Sequence, residues 1–356
     1  MDITIFNPAL ERVHTIDAFA SLLWIERYSA YGEFELYTPL NFATYSFLQE
    51  DSYLYIPTSI KRMVIEEKSV KTDKEHGDVV IVKGRSLESL IDRRIVWNQT
   101  MLFGNLQNSI HTLFCDAIIS AVDETRRVAN FIFEDSTDDY INSLTADLQL
   151  YGENLYTTVK EICDVYNLGF ELVINNLNQF LFRLYYGVDR SYDQILTPWV
   201  IFSPEFDNLL TSEYLVDKRF LKTVSLILGA GEGLERQAAI ATDPSGAGTG
   251  LTRREIYTDG SDVAKEVDGV IVPPEEYANQ LVTKGNITLA DRIRLEYFEG
   301  EIDHEINFVY PNDFGLGDIV QIENKYGNVG KARVTEILHR IDNTGYKIYP
   351  TFVMIT

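Results

Sequence analysis

The chain has 356 residues, 45% of them hydrophobic, and its 54 acidic against 31 basic side chains give a formal net charge of -23. This length predicts two or three packed structural units, and the hydrophobic content excludes a disordered chain. The negative charge argues against nonspecific binding to nucleic acid or anionic lipid, and two cysteines, Cys115 and Cys163, exclude a disulfide framework.

The first residues, MDITIFNPALERVHTIDAF, lack the basic end, apolar core and small-residue cleavage site of a secretion signal. No apolar run approaches the roughly 20 residues that span a bilayer. We therefore expect a protein that is made in the cytosol, stays soluble and does not associate with membranes.

Residues 1–97 predict a first β domain. Between residues 3 and 84, short runs alternate apolar and polar side chains with the period of a strand, and turn residues separate them. The runs are ITIF, SLLWIERY, GEFELYTP, SYLYIP, KRMVIEE and DVVIVKG. This spacing favours a barrel or a sandwich of antiparallel strands.

Residues 98–195 predict an α+β unit between β segments. A first helix places an apolar stripe on one face, made of Leu106, Ile110, Leu113, Phe114, Ala117, Ile118 and Ala121. A second helix repeats the pattern with Leu155, Val159, Ile162 and Tyr166, and Gly169 is its expected stop. The run FELVINNLNQFLFRLYYG then predicts a hairpin.

Residues 196–356 predict a second β domain with a loop and helix insertion around 234–298. Small residues in TDPSGAGTG, 242–250, suit a surface loop, and PPEEYANQLVTKG predicts a helix. The closing stretch returns to strands with frequent turn signals.

The first and last β segments resemble each other. Aligning residues 51–84 with residues 317–352 places Asp51 near Asp318, Arg62 near Arg333, Asp73 near Asp342 and Gly77 near Gly345. Both segments read as a strand led by Asp, a strand led by Arg, an Asp-Gly turn and a final strand. This order predicts an internal repeat.

Three glycines follow an apolar run, and Gly229, Gly231 and Gly233 form G-x-G-x-G. A dinucleotide-binding loop requires Gly or Ala where Leu234 stands, and two flanking glutamates would repel a phosphate. The pattern instead favours a turn with positive φ that leaves a strand at a barrel edge, near an inter-subunit contact. No cofactor is expected.

Other motif-like groups favour structural roles. DFG at 313–315 and HRID at 339–342 occur in the reverse of kinase order, so we interpret them as chance similarity, with Gly315 and Gly317 forming a turn before the strand DIVQI. His111 and Cys115 have the spacing of two ligands on a helix, but no second pair accompanies them. We expect a packed core helix there and no metal.

An acidic cluster, Glu301, Asp303 and Glu305, lies on one side of a predicted strand. Paired carboxylates can hydrolyse glycosides or hold a cation. In a chain this acidic, a solvated face is the better interpretation. We therefore predict no catalytic residues and no enzyme.

Five segments resemble, in order along nearly the whole chain, the siphovirus tail-protein family of the ReqiPepy6 minor structural type. They are YGEFELYTP at 31–39, VKGRSLESLIDRRIV at 82–96, IFSPEFDNLLTSEYLVDKRFLKTVSLILGAGEGLERQ at 201–237, DFGLGDIVQI at 313–322 and RVTEI at 333–337. That family is similar to the baseplate hub proteins of long-tailed phages.

The resemblance implies a mainly β fold with two tail-tube-like β-barrels per chain and the α+β unit as an insertion. It implies a homotrimer whose six barrels match the sixfold tail tube, located at the tail tip of the virion. Its expected partners are the distal tail protein, the tail tube, and tip or fibre proteins, while DNA passes through the lumen without specific binding. The family has no catalytic residues to transfer, and since the chain ends at Thr356, host binding and wall digestion are expected of other proteins.

Two other functions remain open at this stage. Aromatic residues could line a sugar-binding surface at the tail tip, although strands favour such residues for packing. They are Tyr28, Tyr31, Phe34, Tyr37, Phe42, Tyr45 and Phe47. The third interpretation is a cell-wall hydrolase that uses the acidic cluster.

Overall fold

The computed structural model describes residues 1–72, 77–267, 269–303, 308–323, 326–327 and 329–355. Its strands are β1 (Ile3–Phe6), β2 (Arg12–Ile16), β3 (Ser21–Arg27), β4 (Glu33–Pro39), β5 (Tyr53–Tyr55), β6 (Met63–Lys71), β7 (Val79–Ser86), β8 (Thr100–Asn105), β9 (Phe131–Glu134), β10 (Thr145–Leu150), β11 (Gly169–Ile174), β12 (Phe180–Tyr185), β13 (Ile201–Phe202), β14 (Glu213–Asp217), β15 (Val224–Gly229), β16 (Ala238–Thr242), β17 (Glu255–Gly260), β18 (Glu266–Val267), β19 (Val270–Ile271), β20 (Leu295–Glu299), β21 (Ile319–Glu323), β22 (Val329–Asp342) and β23 (Gly345–Met354). Its helices are α1 (Phe42–Phe47), α2 (Leu106–Phe114), α3 (Asp139–Ser143), α4 (Leu155–Tyr166) and α5 (Pro274–Ala290).

The fold is mainly β, as the alternating runs predict. Each of the six quoted runs between residues 3 and 84 contains a strand. In β3, for example, Leu22, Trp24 and Glu26 are fully buried while the residues between them are not. This is the two-residue period of a strand with one face on the core.

The chain divides into two compact units that alternate along the sequence. Unit 1 contains residues 1–90, 169–215 and 296–356, and unit 2 contains residues 91–168 and 216–295. The three domains predicted from the sequence are consecutive, so their limits differ from those of the two units. Their assignment as barrels and accessory domain stays a prediction.

Unit 1 is built around a large sheet. Within the described residues its strand order is β14-β20-β23-β22-β3-β4-β7-β6-β5-β1-β2, with β21 on β22 and β13 on β21. These pairings form an open path, and among the described strands they do not close a barrel.

This sheet contains the repeat that the sequence predicts. The first repeat has the order β3-β4-β7-β6-β5, and the second repeat has the order β14-β20-β23-β22-β21. In each, the last three strands form an antiparallel meander. A sixth short strand follows in both, but β1 is antiparallel to β5 whereas β13 is parallel to β21. The likeness therefore covers five strands.

Backbone hydrogen bonds fix the alignment of the two repeats. The Asp51 N–H donates to the Ile65 carbonyl at 2.9 Å, and the Gly317 N–H donates to the Val334 carbonyl at 2.8 Å. Both donor residues have positive φ, 60° at Asp51 and 86° at Gly317. Each pair precedes a β-bulge, between Ile65 and Glu67 in β6 and between Val334 and Glu336 in β22. The same local geometry thus occurs twice.

This alignment corrects two of the pairs predicted from the sequence. Arg62 corresponds to Lys331 rather than to Arg333, and Asp51 corresponds to Gly317, one residue earlier than predicted. The reason is that hydrogen-bond register and left-handed backbone position define the repeat, and side-chain identity does not.

The predicted alignment of Gly77 with Gly345 is confirmed. Both glycines have positive φ, 85° and 110°, and they lie at the start of the final strand of each meander, Gly77 two residues before β7 and Gly345 as the first residue of β23. Asp73, which the sequence pairs with Asp342, lies outside the described residues.

Each repeat has its own apolar core. The first packs residues such as Ile5, Trp24 and Leu36, and the second packs residues such as Phe202 and Phe352. Unit 2 has a third core, where α5 packs on the three-stranded sheet β16-β15-β17. No helix in the described ranges is both long and apolar enough to cross a membrane.

The predicted helices of unit 2 are present, with one correction. The first apolar stripe forms α2 and a π-helical turn over Cys115–Ile119, and the second forms α4. However, α4 does not end at Gly169, because Asn167 takes the left-handed position with φ 52°. Gly169 instead begins β11, where a Cβ would come within 2.2 Å of the Tyr28 ring.

Replacing Gly317 tests the left-handed turn of the second repeat. In Gly317→Ala the methyl group would lie 2.3 Å from the Tyr28 ring on a backbone with φ 86°. We expect the free energy of unfolding to fall by about 2 kcal/mol or more, from backbone strain and overpacking. Urea unfolding measures it.

The control is Gly315→Ala, because a Cβ at Gly315 meets nothing within 4 Å. This variant should unfold near the wild-type midpoint. Equal midpoints for the two variants would contradict the assigned geometry.

Candidate functional site

The seam between the two repeats joins two strands from opposite ends of the chain. The second half of β22, from Glu336 to Ile341, pairs antiparallel with β3 from Arg27 back to Leu22. Strands more than 300 residues apart in sequence thus lie side by side. We call this pairing the repeat seam.

A buried polar network lies in the repeat seam. A Glu26 carboxylate oxygen lies 3.0 Å from His339 Nε2, and its other oxygen accepts a hydrogen bond from the Tyr310 hydroxyl at 2.6 Å. His339 Nδ1 lies 2.8 Å from the Tyr346 hydroxyl. Glu26 and His339 are both fully buried, so each depends on the other for the hydrogen bonds that water would otherwise supply.

The network shifts the pKa values of its members. Burial acts to raise the pKa of Glu26, but hydrogen bonds and charge from His339, with hydrogen bonds from Ser59 and Tyr310, outweigh it and hold the pKa below its ordinary value. Burial and the adjacent Glu26 carboxylate raise the pKa of Tyr310 well above its ordinary value. Burial raises the pKa of Tyr346 to about 12. These shifts favour an ionised Glu26 carboxylate beside the neutral hydroxyls of Tyr310 and Tyr346.

A buried ion pair also adjoins the seam. Lys61 Nζ donates to a Glu88 carboxylate oxygen at 2.7 Å and to the Arg27 carbonyl at 2.9 Å. Both charged side chains are at most 1% exposed. Trp24 Nε1 donates to Ser59 Oγ at 3.1 Å nearby. The ammonium thus ties the last residue of β3 to the rest of the first repeat.

Arg333, which the sequence comparison singled out, is a buried structural cation in the second repeat. Its guanidinium donates to the Gly317 carbonyl at 2.7 Å, to the Tyr28 hydroxyl at 3.2 Å and to the Tyr186 carbonyl. It also lies over the Tyr186 ring, 4.5 Å from its centroid. These carbonyl oxygens compensate for the loss of hydration.

The glycine stretch has no phosphate-binding geometry. Gly231 and Gly233 have positive φ, which confirms the predicted turn. A short 3-10 turn follows them instead of an α-helix, and Arg236 closes the loop by donating to the Gly229 and Leu228 carbonyls at 2.6 Å.

The prediction that this strand lies at a barrel edge was wrong. β15 is the middle strand of its sheet, antiparallel to β16 and parallel to β17. Its parallel partner lies about 30 residues further along the chain, where the local pattern gives no sign of it.

The candidate metal and acid residues serve packing and local bonding. His111 stacks on Phe133 with ring centroids 4.5 Å apart. Within the described residues no group of three or more His, Cys, Asp or Glu side chains is placed to hold a metal ion. Glu301 accepts hydrogen bonds from Lys347 at 3.1 Å and Tyr349 at 2.9 Å. Asp303 belongs to no strand, and Glu305 lies outside the described residues.

The DFG segment is a turn, as predicted. The Asp313 carboxylate accepts a hydrogen bond from the Val309 N–H at 2.8 Å, and the Gly315 N–H donates to the Asp318 carboxylate at 2.9 Å. β21 then begins at Ile319. The aromatic residues divide between core and surface: Phe34 is buried, whereas Phe42 and Tyr45 are 84% and 56% exposed.

No motif marks Glu26 in the sequence, and His339 stands only in HRID, which we interpreted as chance similarity. Their position in the strands could have indicated burial. Glu26 lies on the same strand face as Leu22 and Trp24, and His339 lies on the same face as Ile337 and Ile341. A charge on the core face of a strand predicts a buried partner. The network holds strands together and is closed to solvent.

The chain matches known tail proteins in sequence and in fold. The family described as Siphovirus ReqiPepy6 Gp37-like protein matches residues 2–352. The fold is similar over 99% of the chain to the 43 kDa tail protein of prophage MuSo2 from Shewanella oneidensis, with TM-score 0.60, 10% identity and 98% of that chain covered. The fold is also similar over 99% of the chain to the tail protein from Neisseria meningitidis MC58, with TM-score 0.57, 10% identity and 96% of that chain covered.

Prophage tail protein gp18 from Listeria monocytogenes EGD-e gives TM-score 0.55 and 13% identity, again over 99% of this chain and with 94% of the other covered. Identities this low show likeness of fold alone. No curated protein sequence matches the chain.

Removing the charge of Glu26 tests the repeat seam. In Glu26→Gln the amide keeps the size of the side chain but cannot accept on both sides from His339 and Tyr310. We expect a loss of about 2 kcal/mol in unfolding free energy. The control is Glu255→Gln. Glu255 forms an exposed ion pair with Arg253, and losing it should lower the free energy of unfolding by less than about 1 kcal/mol.

The stability difference between wild type and Glu26→Gln should depend on pH. Because the folded pKa of Glu26 lies below its ordinary value of 4.5, its stabilisation is present above pH 4.5 and is lost as the pH falls through the folded pKa. The stability difference between wild type and Glu26→Gln should therefore shrink on acidification. A difference that stays constant or grows in acid would contradict the assignment.

Proposed function

Because the chain belongs to the Siphovirus ReqiPepy6 Gp37-like family of tail proteins, we propose that it is the structural hub of a long-tailed phage. Three copies form a ring at the tail tip that adapts the sixfold tail tube to the proteins below it. Its partners are the distal tail protein, the tail tube, and tip or fibre proteins. It is a component of the virion and does not act as an enzyme.

The observation that carries this proposal is the internal repeat. One chain contains the same five-strand order twice, with matching hydrogen bonds and matching bulges. A threefold assembly of such chains presents six nearly equivalent sheets. That number suits a sixfold tube, so the repeat gives a physical reason for three copies.

We assign the two proposed tube-like barrels to the two repeats, in residues 1–97 and 196–356. In the ring, neighbouring copies would supply the strands that complete each barrel, since a barrel has no exposed strand edge. The α+β segment 98–195 and the insertion around 234–298 would be accessory to the ring.

The charge of the chain suits a channel for DNA. One surface formed by β4, β6 and β7 carries four glutamates, at positions 33, 35, 66 and 67, against two cations, Lys83 and Arg85. With a net charge of -23, a lumen lined by such a face would let DNA slide without binding it. A ring whose interior is neutral or basic would contradict this part of the proposal.

Mass and symmetry test the ring. We expect the purified chain alone to have three times the 40.7 kDa mass of one chain, or to contribute three copies to the complex with its distal tail partner, measured by light scattering. Class averages from electron microscopy should show three repeating pairs of lobes. A particle that remains monomeric under both conditions, or that has another symmetry, would overturn the hub.

Exposed aromatic side chains favour carbohydrate recognition at the tail tip as a second candidate. Phe42 and Tyr45 lie on α1 with more than half of each side chain accessible, and aromatic faces commonly bind apolar ligand surfaces. Host-wall glycans on an array should then bind saturably, and Phe42→Ala with Tyr45→Ala should abolish binding. Wild-type binding equal to that of the double variant would exclude this role for α1.

A further inference from the structure

We propose that the repeat seam has a counterpart between chains, in which residues Glu67–Lys71 of β6 pair antiparallel with β14 of a second copy of this chain. The inference rests on the proposed ring and specifies which strands join its subunits, and in which register. It follows from applying the symmetry of the two repeats to the one seam that a single chain contains.

The alignment of the repeats identifies the first partner. Ile65 corresponds to Val334, and the bulge follows directly in both strands. The segment of β22 that pairs with β3 begins at Glu336, so the equivalent segment of β6 begins at Glu67. In the described part of the chain, that segment pairs with β7 on one side, and β5, on its other side, reaches only as far as Val64.

The second partner is identified through the strand next to it. β4 and β20 occupy the same place beside the last meander strand, where Phe34 pairs with Gly84 and Phe298 with Phe352. β14 follows β20 as β3 follows β4, and it ends the strand order of the sheet.

An aromatic contact then sets the register of β14. Trp24 of β3 contacts the Phe34 ring with centroids 6.1 Å apart, and Tyr214 of β14 contacts the Phe298 ring with centroids 4.7 Å apart. Tyr214 therefore corresponds to Trp24. Since Trp24 lies opposite His339, Tyr214 lies opposite Val70 of the next chain.

The side chains at the two edges complement each other. Val70 and Val216 are 41% and 42% exposed in the single chain, and they take the places of His339 and Glu26. An apolar contact between chains thus replaces the polar one within the chain, and covering both valines is favourable. On the opposite face, Lys71 comes opposite Glu213, an oppositely charged cross-strand pair.

An arginine also lies near the end of the proposed seam between chains. Within the chain, Glu336 binds Arg27 at 2.7 Å. Between chains, Glu67 would face Asp217, whose carboxylate already binds Arg219 at 2.6 Å. Arg219 can therefore supply the positive charge that Arg27 supplies within the chain.

This contact is heterologous, because one edge of each chain binds a different edge of the next. Such contacts form a ring when the rotation closes and a filament when it does not. The within-chain seam and the between-chain seam alternate around the ring, so all six sheets join in the same manner.

Disulfide trapping tests the register. Ser69 and Leu215 correspond to Leu338 and Ile25, which are direct partners in the repeat seam. In a Cys115→Ser background, Ser69→Cys with Leu215→Cys should give a covalent trimer under oxidising conditions, because directly opposed side chains lie within bridging distance. Either single variant should stay uncrosslinked, and a mixture of the two single variants should give a covalent dimer.

Two controls make the result specific. Ile25→Cys with Leu338→Cys should close a bridge within one chain, which shows that this pair geometry permits a disulfide. Ser69→Cys with Val216→Cys places the thiols on opposite faces and should crosslink at least about tenfold less.

The possible failures are distinguishable. Trimers by mass that form no Ser69→Cys to Leu215→Cys bridge, while the within-chain control forms its own, would overturn this seam and leave the hub standing. A chain that is monomeric by mass, alone and on its distal tail partner, would overturn both.

Discussion

The structure of unit 1 depends on one constraint: a strand edge must find a partner or stay exposed to other chains. β3 meets this constraint by pairing with β22, and the pairing brings Glu26 and His339 together in a fully buried contact. Because removing either member would leave a buried polar group unsatisfied, the contact favours one register over its neighbours. Residues Glu67–Lys71 of β6 and the outer edge of β14 have no such partner among the described strands, which is why we propose that they pair with another chain.

The two repeats differ in the side chains at their strand edges. Within the chain the seam is polar, which suits a contact formed once during folding. In the proposed contact between chains the equivalent positions are Val70 and Val216, which need no buried polar partner and are exposed in the single chain. The second repeat also accepts residues 218–294 between β14 and β20 without losing its strand order. A sheet tolerates such an insertion because it enters at a loop and leaves the ladder intact.

The sequence predicts the strands of the first β segment, the helices of unit 2 and the existence of the repeat, because these follow from local period and turn residues. Register is harder. Arg62 and Arg333 share a residue type, which favours their alignment, but the backbone hydrogen bonds of the two repeats place Arg62 at the position equivalent to Lys331. The glycine stretch was assigned to an edge because nothing local shows that β17 will pair beside it. The Glu26 and His339 network joins residues far apart in sequence, and only their positions on core-facing strand faces indicated burial.

The most direct test of the account is an electron microscopy map of the assembled tail tip at a resolution that separates strands. We expect a continuous sheet that passes from each chain to the next, with β6 beside β14 and six similar sheets around a threefold axis. Chains that meet through loops or helices, with both of these edges facing solvent, would contradict it.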